Sequence, residues 1–150
     1  MIYWFTGQPG SGKTVLGNLL KEYNDEIYKG IKYPMKVIDG DVIREKYNNK
    51  DYSEAGRRKN IKLAQNLAYE YHKKKYDVIV ALVSPYLDMR ESFKAEMDDN
   101  IKEIFVQCFE ERERDHYHVD NYEEPLADFI YIDTTDDTPS ESLLKILKEI

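Results

Sequence analysis

The stretch GQPGSGKT, residues 7–14, decides the fold. It matches the pattern GxxxxGK[ST], in which the backbone N–H groups of a glycine-rich loop surround phosphate oxygens. A short apolar run at residues 2–5 precedes it, and leucines at helical spacing follow it. A strand, a glycine loop and a helix in this order predict a phosphate-binding loop, because the helix N-terminus adds positive potential at the anion.

The residues of this loop have separate expected roles. Lys13 would bring a mobile positive charge to the β and γ phosphates, and Thr14 would offer a hydroxyl ligand to Mg²⁺. The expected cofactors are therefore ATP and Mg²⁺. The residues expected to bind the nucleotide are Gly7, Gly10, Ser11, Gly12, Lys13 and Thr14.

Short apolar runs alternate with helical stretches along the chain. Near-continuous apolar runs indicate strands covered on both faces, as in parallel sheets. Strands are predicted at 2–5, 36–38, 78–83, 104–106 and 129–132, and helices at 14–23, at 54–75 and from a capping box at Thr138 and Glu141 onward. This alternation predicts one α/β domain over residues 1–150. Its expected core is a doubly wound, mainly parallel five-stranded sheet flanked by helices, with the site at the strand C-termini.

Composition narrows the function classes. The chain has 22 basic and 29 acidic residues, a formal net charge of −7, so nucleic acid is an unlikely partner. No apolar run approaches the roughly 20 residues that cross a bilayer, and Cys108 is the only cysteine. We expect a cytoplasmic protein without membrane contact. The three histidines, His72, His116 and His118, lack metal-ligand spacing and are expected at the surface.

An acid is still needed near the phosphates, and the strand at 78–83 ends in Ser84 and Pro85 instead. The remaining source is Asp39-Gly40-Asp41, which follows the strand at 36–38. A glycine between two carboxylates would let both face one site, one for Mg²⁺ and one for a hydroxyl proton. As an isolated tripeptide, DGD is also a common turn. Arg44, three residues later, favours the site because it can project toward an anion there.

At these motifs the chain resembles the adenylylsulfate kinase family. The phosphate loop is followed, in that family's order, by IDGDVIR (38–44), YSEAGRRKNI (52–61), LVSPYLDMR (82–90) and DNYEEP (120–125). The resemblance implies a P-loop kinase fold with MgATP as phosphoryl donor. It also implies that the acceptor is the ribose 3′-hydroxyl of adenosine 5′-phosphosulfate, a small-molecule nucleotide.

The resemblance also assigns roles by position. Asp41 would be the base or the acid that orients Mg²⁺, with Asp39 beside it. Tyr52 would stack on the acceptor base, or else pack in the core. The acceptor-binding residues so implied are Asp41, Arg44, Tyr52, Arg57 and Asn60, and Arg57 and Asn60 share one face near a helix N-terminus. Ser84 and Pro85 are expected to line the acceptor pocket because they end a strand at the switch-point edge of the sheet.

Two departures from the family pattern keep other functions open. Gly56 stands where the family has an acidic residue before the arginine, and the lid that follows Cys108 is short, with Arg112 and Arg114 as its remaining basic residues. A related kinase could use another hydroxyl, of a nucleoside diphosphate derivative or a polynucleotide 5′ end. A nucleotide-binding module with weak catalysis is the third alternative. A partner chain could complete the short lid, so a homodimer stays open.

Overall fold

A computed structural model of the chain describes residues 1–110 and 118–150. Arg112, Arg114 and His116 lie outside the described residues. The strands are β1 (Ile2–Thr6), β2 (Lys36–Asp39), β3 (Val78–Ala81), β4 (Ile101–Gln107) and β5 (Phe129–Asp133). The helices are α1 (Lys13–Ile27), α2 (Gly40–Lys46), α3 (Glu54–Lys73), α4 (Leu87–Met97) and α5 (Pro139–Glu149), with a 3₁₀ turn at Asp98–Asn100.

The five described strands form one sheet in the order β2-β3-β1-β4-β5, and every neighbouring pair is parallel. The expected α/β class and five-stranded sheet are confirmed, and the sheet is wholly parallel. From the central β1 the chain crosses to the edge strand β2, returns to β3 beside β1, and then continues on the other side through β4 and β5. The carboxyl end of β1 is therefore the switch point, where open α/β sheets place their ligands.

The sheet is buried on both faces, which explains its continuous apolar strands. In β3, Val78 and Val80 belong to the core beneath α3 and α4. Ile79 and Ala81 alternate with them and belong to the core beneath α1 and α5. Both faces of β3 thus need apolar side chains, and each fully buried one contributes about 1.5–3 kcal/mol.

Some element boundaries differ from the prediction. Helix α1 ends at Ile27 rather than 23, and β3 ends at Ala81 rather than 83. The short helix α2 begins directly at Gly40. The capping box of α5 is confirmed: Thr138 Oγ1 accepts from Glu141 N at 3.2 Å, and Glu141 Oε1 accepts from Thr138 N at 3.2 Å.

Within the described part of the chain, no helix combines the length and the apolar character that crossing a bilayer requires.

Candidate functional site

A cavity of about 780 Å³ opens at the carboxyl ends of the central strands. It collects side chains from the phosphate loop, from the start of α2, from α3 and from the turn after β3. The predicted site residues that line it are Gly10, Gly12, Lys13, Thr14, Asp39, Asp41, Arg44, Tyr52, Arg57, Asn60, Ser84 and Pro85. Gly7 and Ser11 do not line this cavity, and both lie within the loop that forms its floor.

The phosphate loop has the shape that its glycines require. Gly7 has φ 145° and Gly12 has φ 109°, a region that favours glycine. A Cβ at Gly7 would lie 2.1 Å from the Val106 carbonyl oxygen, so the loop passes directly over the end of β4. Lys13 Nζ folds back over the loop and donates to the Gln8 carbonyl at 2.7 Å. A cation is thus held where the helix N-terminus also attracts anions.

Thr14 and Asp39 join the phosphate loop to the end of β2. Thr14 Oγ1 donates to Asp39 Oδ2 at 2.9 Å, and the second carboxylate oxygen, Oδ1, accepts from Asp41 N at 2.9 Å. Asp39 is therefore the N-cap of α2. These two bonds fix the rotamer of Asp39. The exposed Asp41 side chain follows two residues later and also lines the cavity.

Gly40 is required because a side chain would not fit at this position, not because its backbone conformation needs glycine. A Cβ there would lie 2.7 Å from Leu82 Cβ. Helix α2 therefore starts in direct contact with the residue that follows β3, and this contact brings Asp39 and Asp41 against the cavity.

Arg57 and Asn60 come from one face of α3, as their spacing predicts. The Arg57 side chain lines the cavity and has no hydrogen-bond or ion-pair partner within residues 1–110 and 118–150. Asn60 is 5% exposed; its Nδ2 donates to the Gly40 carbonyl at 3.4 Å, while its Oδ1 has no partner among the described residues. A cation and a buried acceptor at one wall can bind an anion and a neighbouring hydroxyl.

Arg44 and Tyr52 form a stacked pair at the cavity mouth. The Arg44 guanidinium lies 4.1 Å from the centre of the Tyr52 ring, and Nη1 donates to the carbonyls of Asn49 and Asp51 at 3.1 and 3.0 Å. Much of the donor capacity of Arg44 is thus used to hold the loop between α2 and α3. Tyr52 is 63% exposed, so the core alternative for this residue is wrong.

Gly56 is the contact point between that loop and α3. A Cβ there would lie 2.1 Å from the Asp51 carbonyl oxygen and 2.5 Å from Asp51 Cγ. Asp51 thus fills the space into which a side chain at position 56 would project. Hydrogen bonds from Ser53 hold the pKa of Asp51 below its usual range, and so does the charge of Arg44. A carboxylate is present at this corner although residue 56 is glycine.

Ser84 turns the chain away from the sheet in a left-handed conformation, φ 48°. Such a residue costs about 1–3 kcal/mol unless its surroundings hold it. Arg90 does so: its Nη1 donates to the Ser84 carbonyl at 2.6 Å, and its Nε donates to Glu103 Oε1 at 2.7 Å. Lys94 also pairs with Glu103, at 2.7 Å. The Ser84 hydroxyl is buried without a partner among the described residues.

His118 and Val119 line a further side of the cavity, and the segment that follows them is anchored to the sheet. Burial raises the pKa of Tyr122 to about 12, so its phenol remains a donor. Since Thr6 Oγ1 donates to the Val83 carbonyl at 2.8 Å, the Tyr122 hydroxyl at 2.7 Å donates to Thr6. This contact brings the segment against the end of β1.

The sequence analysis missed four residues that build the site. Arg90 and Tyr122 lie inside motifs that were quoted, but their contacts depend on partners distant in sequence. Gln8 occupies a position that the phosphate-loop pattern leaves open, and Val119 precedes the last motif. The one signal available in the sequence was Gln8, a polar residue at an open position of the glycine-rich loop.

Comparison with known proteins agrees with this architecture. The Adenylylsulphate kinase family model matches residues 1–146. An adenylyl-sulfate kinase of Burkholderia ambifaria is 29% identical over 169 residues, covering 99% of this chain and 91% of that protein. One of Geotalea daltonii is 34% identical over 110 residues, covering 72% of this chain and 52% of that protein. The chain thus spans about half the length of the second relative.

A solved structure supports the fold independently. The Mycobacterium tuberculosis APS kinase CysC, in complex with AMPPNP and APS, superimposes with a TM-score of 0.79 at 22% identity, covering 98% of this chain and 95% of that one. At this identity the likeness shows the fold alone, and the expected P-loop kinase fold is confirmed. With the match over nearly the whole sequence, the chain belongs to the adenylylsulphate kinase family.

Proposed function

We propose that this chain transfers the γ-phosphoryl group of ATP to the 3′-hydroxyl of adenosine 5′-phosphosulfate (APS). One observation carries the proposal: the phosphate loop, the Asp39–Asp41 pair and Arg57, whose side chain has no partner among the described residues, all line a single cavity. Lys13 comes from the start of α1 and Arg57 from α3, so the cavity offers separate cations to two anionic ligands. The curated relatives are named for this activity, and a related structure holds AMPPNP and APS.

The residues present fit a magnesium ion. Thr14 Oγ1 and Asp39 Oδ2, 2.9 Å apart, are hard oxygen donors at the place where the phosphate loop becomes α1. Thr14 would bind the ion directly, and Asp39 would hold water molecules of its coordination shell. The ion would neutralise charge on the β and γ phosphates.

The chain's own residues then account for the transfer. Lys13 binds the β and γ phosphates and stabilises charge on the transferring group. Arg57 binds the anionic part of the acceptor and orients its hydroxyl. As the acceptor oxygen forms its bond to the γ phosphorus, the bond from that phosphorus to the β–γ bridging oxygen breaks and ADP leaves. The hydroxyl proton passes to the Asp41 carboxylate.

Acceptor-dependent release of ADP tests the proposal. The wild-type chain with MgATP should release ADP when APS is added, and much less with a nucleoside diphosphate or with an oligonucleotide that has a free 5′-hydroxyl. Release with the oligonucleotide alone would identify a polynucleotide kinase instead. ATP binding without release by any acceptor would identify a nucleotide-binding module.

The variant Asp41→Asn tests the assigned base in the same assay. It should lower turnover by about 10²–10⁴-fold, the usual contribution of general base catalysis, and leave ATP affinity nearly unchanged. Near wild-type turnover would exclude Asp41 as the base. A cytoplasmic location and a homodimer stay predictions.

A further inference from the structure

Gln8 makes an unusual contact for a residue of a phosphate loop. Its side-chain amide binds both main-chain groups of Val119: Oε1 accepts from Val119 N at 2.8 Å, and Nε2 donates to the Val119 carbonyl at 2.9 Å. The two bonds fix the orientation of the amide, because a flipped amide would face donor with donor and acceptor with acceptor. The residues joined lie 111 positions apart in the sequence. We call this contact the Gln8–Val119 clasp.

The clasp connects two sides of the cavity. The main chain of Gln8 belongs to the phosphate side, since its carbonyl accepts from Lys13 Nζ at 2.7 Å. Val119 is buried, at 8% exposed, and it lines the cavity together with His118. One residue therefore carries a main-chain contact to Lys13 and side-chain contacts to Val119 in the cavity wall.

Other anchors hold the same segment further along. The Tyr122 hydroxyl binds Thr6 at 2.7 Å, and Glu123 N donates to the Pro85 carbonyl at 3.0 Å. Both lie C-terminal to Val119. Among the described residues, the main chain of Val119 makes only the two hydrogen bonds of the clasp. The position of Val119 therefore depends on Gln8 more than on these anchors.

We propose that Gln8 is a positioning residue for the acceptor: it holds His118 and Val119 as the cavity wall against which the acceptor nucleotide packs. This inference rests on the proposed function and adds a determinant that lies inside the nucleotide loop. It predicts that the Gln8 side chain affects binding of the acceptor and not binding of ATP. Losing the clasp moves the wall without changing Lys13, Thr14 or the glycines of the loop.

The variant Gln8→Met tests the inference, because methionine keeps the length of the side chain and removes both bonds. The KM for APS should rise by about tenfold, while the KM for ATP stays within about twofold. Gln8→Glu keeps an oxygen for Val119 N–H but has no donor for the Val119 carbonyl, so it should raise the KM for APS at least as much. A matched control is Gln65→Met, which removes one bond to the Met89 carbonyl between α3 and α4 and should leave both KM values unchanged.

Amide exchange measured by NMR gives a second readout that does not need the acceptor. Val119 N–H should exchange faster in Gln8→Met than in the wild type, while amides of the central strand β1 keep their protection. Equal exchange of Val119 in both proteins, or equal rises of both KM values, would overturn the inference. If wild-type protein shows no APS-dependent turnover, the proposed function fails and the exchange of Val119 still decides whether the clasp holds the wall.

Discussion

Replacing Gly56 by alanine sets two physical effects against each other. Position 56 lies in the first turn of α3, where exchanging glycine for alanine favours the helix by up to about 1 kcal/mol. The added Cβ would lie 2.1 Å from the Asp51 carbonyl oxygen, so the loop must move back by about 1 Å to reach an allowed contact. Overpacking of this kind costs about 1–3 kcal/mol.

The displaced loop also loses contacts. Arg44 Nη1 donates to the carbonyls of Asn49 and Asp51, and Asn49 Nδ2 donates to the Gly56 carbonyl at 3.0 Å. Losing about one of these bonds removes roughly 1 kcal/mol. The clash therefore outweighs the gain in helix propensity, and we expect a net loss of about 2 kcal/mol, or about 4–8 °C in Tm for a domain of this size.

Thermal unfolding followed by circular dichroism measures this loss, and the KM for APS should rise because Tyr52 and Arg57 flank the displaced contact. Ala55→Gly is the control: this exposed neighbour should lose only its helix propensity and keep its KM. Gly56→Asp, which restores the family's acid, should be worse than Gly56→Ala. An alanine variant at least as stable as the wild type, with an unchanged KM, would refute the packing of Asp51 on Gly56.

Two further predictions concern the Thr14 hydroxyl and the buried ion pair between Arg90 and Glu103. Thr14→Val should lose most turnover at any Mg²⁺ concentration, while Thr14→Ser should keep most of it because its hydroxyl remains. ADP release measures the turnover of both variants. Equal activity of the two would contradict the role of the hydroxyl. Glu103→Gln should lower the free energy of unfolding by about 3–5 kcal/mol in urea, since it leaves the buried charge of Arg90 without its carboxylate and leaves Lys94 with Glu91 alone. A loss below about 1 kcal/mol would contradict this.

The sequence was informative where function depends on local pattern. The phosphate loop, the alternation of apolar runs with helical spacing, and the capping box at Thr138 each involve residues within one short segment. Such segments specify their conformation through nearby backbone groups. They were sufficient to predict the parallel sheet and the edge at which the cavity lies.

The sequence was less informative where a residue acts through a distant partner. Arg90 looks like an ordinary helical arginine until Glu103 and the Ser84 carbonyl are placed beside it. Helix α2 has only 7 residues, too few for helical periodicity to be read, and its start depends on Gly40 meeting Leu82. Gly56 suggested a missing charge, because nothing local indicates that Asp51 fills the space beside it.

The edge strand β5 has a consequence that reaches beyond its place in the sheet. Just after it, Thr134 Oγ1 donates to the Ser11 carbonyl at 2.7 Å, and Thr134 N donates to the Gln107 carbonyl at 2.9 Å. A hydrogen bond therefore joins the loop near the N-terminus to the residue that follows the strand near the C-terminus. Local opening that frees Thr134 breaks this bond, so we expect a ligand that tightens the loop to slow amide exchange at the end of β5, more than a hundred residues further along the chain.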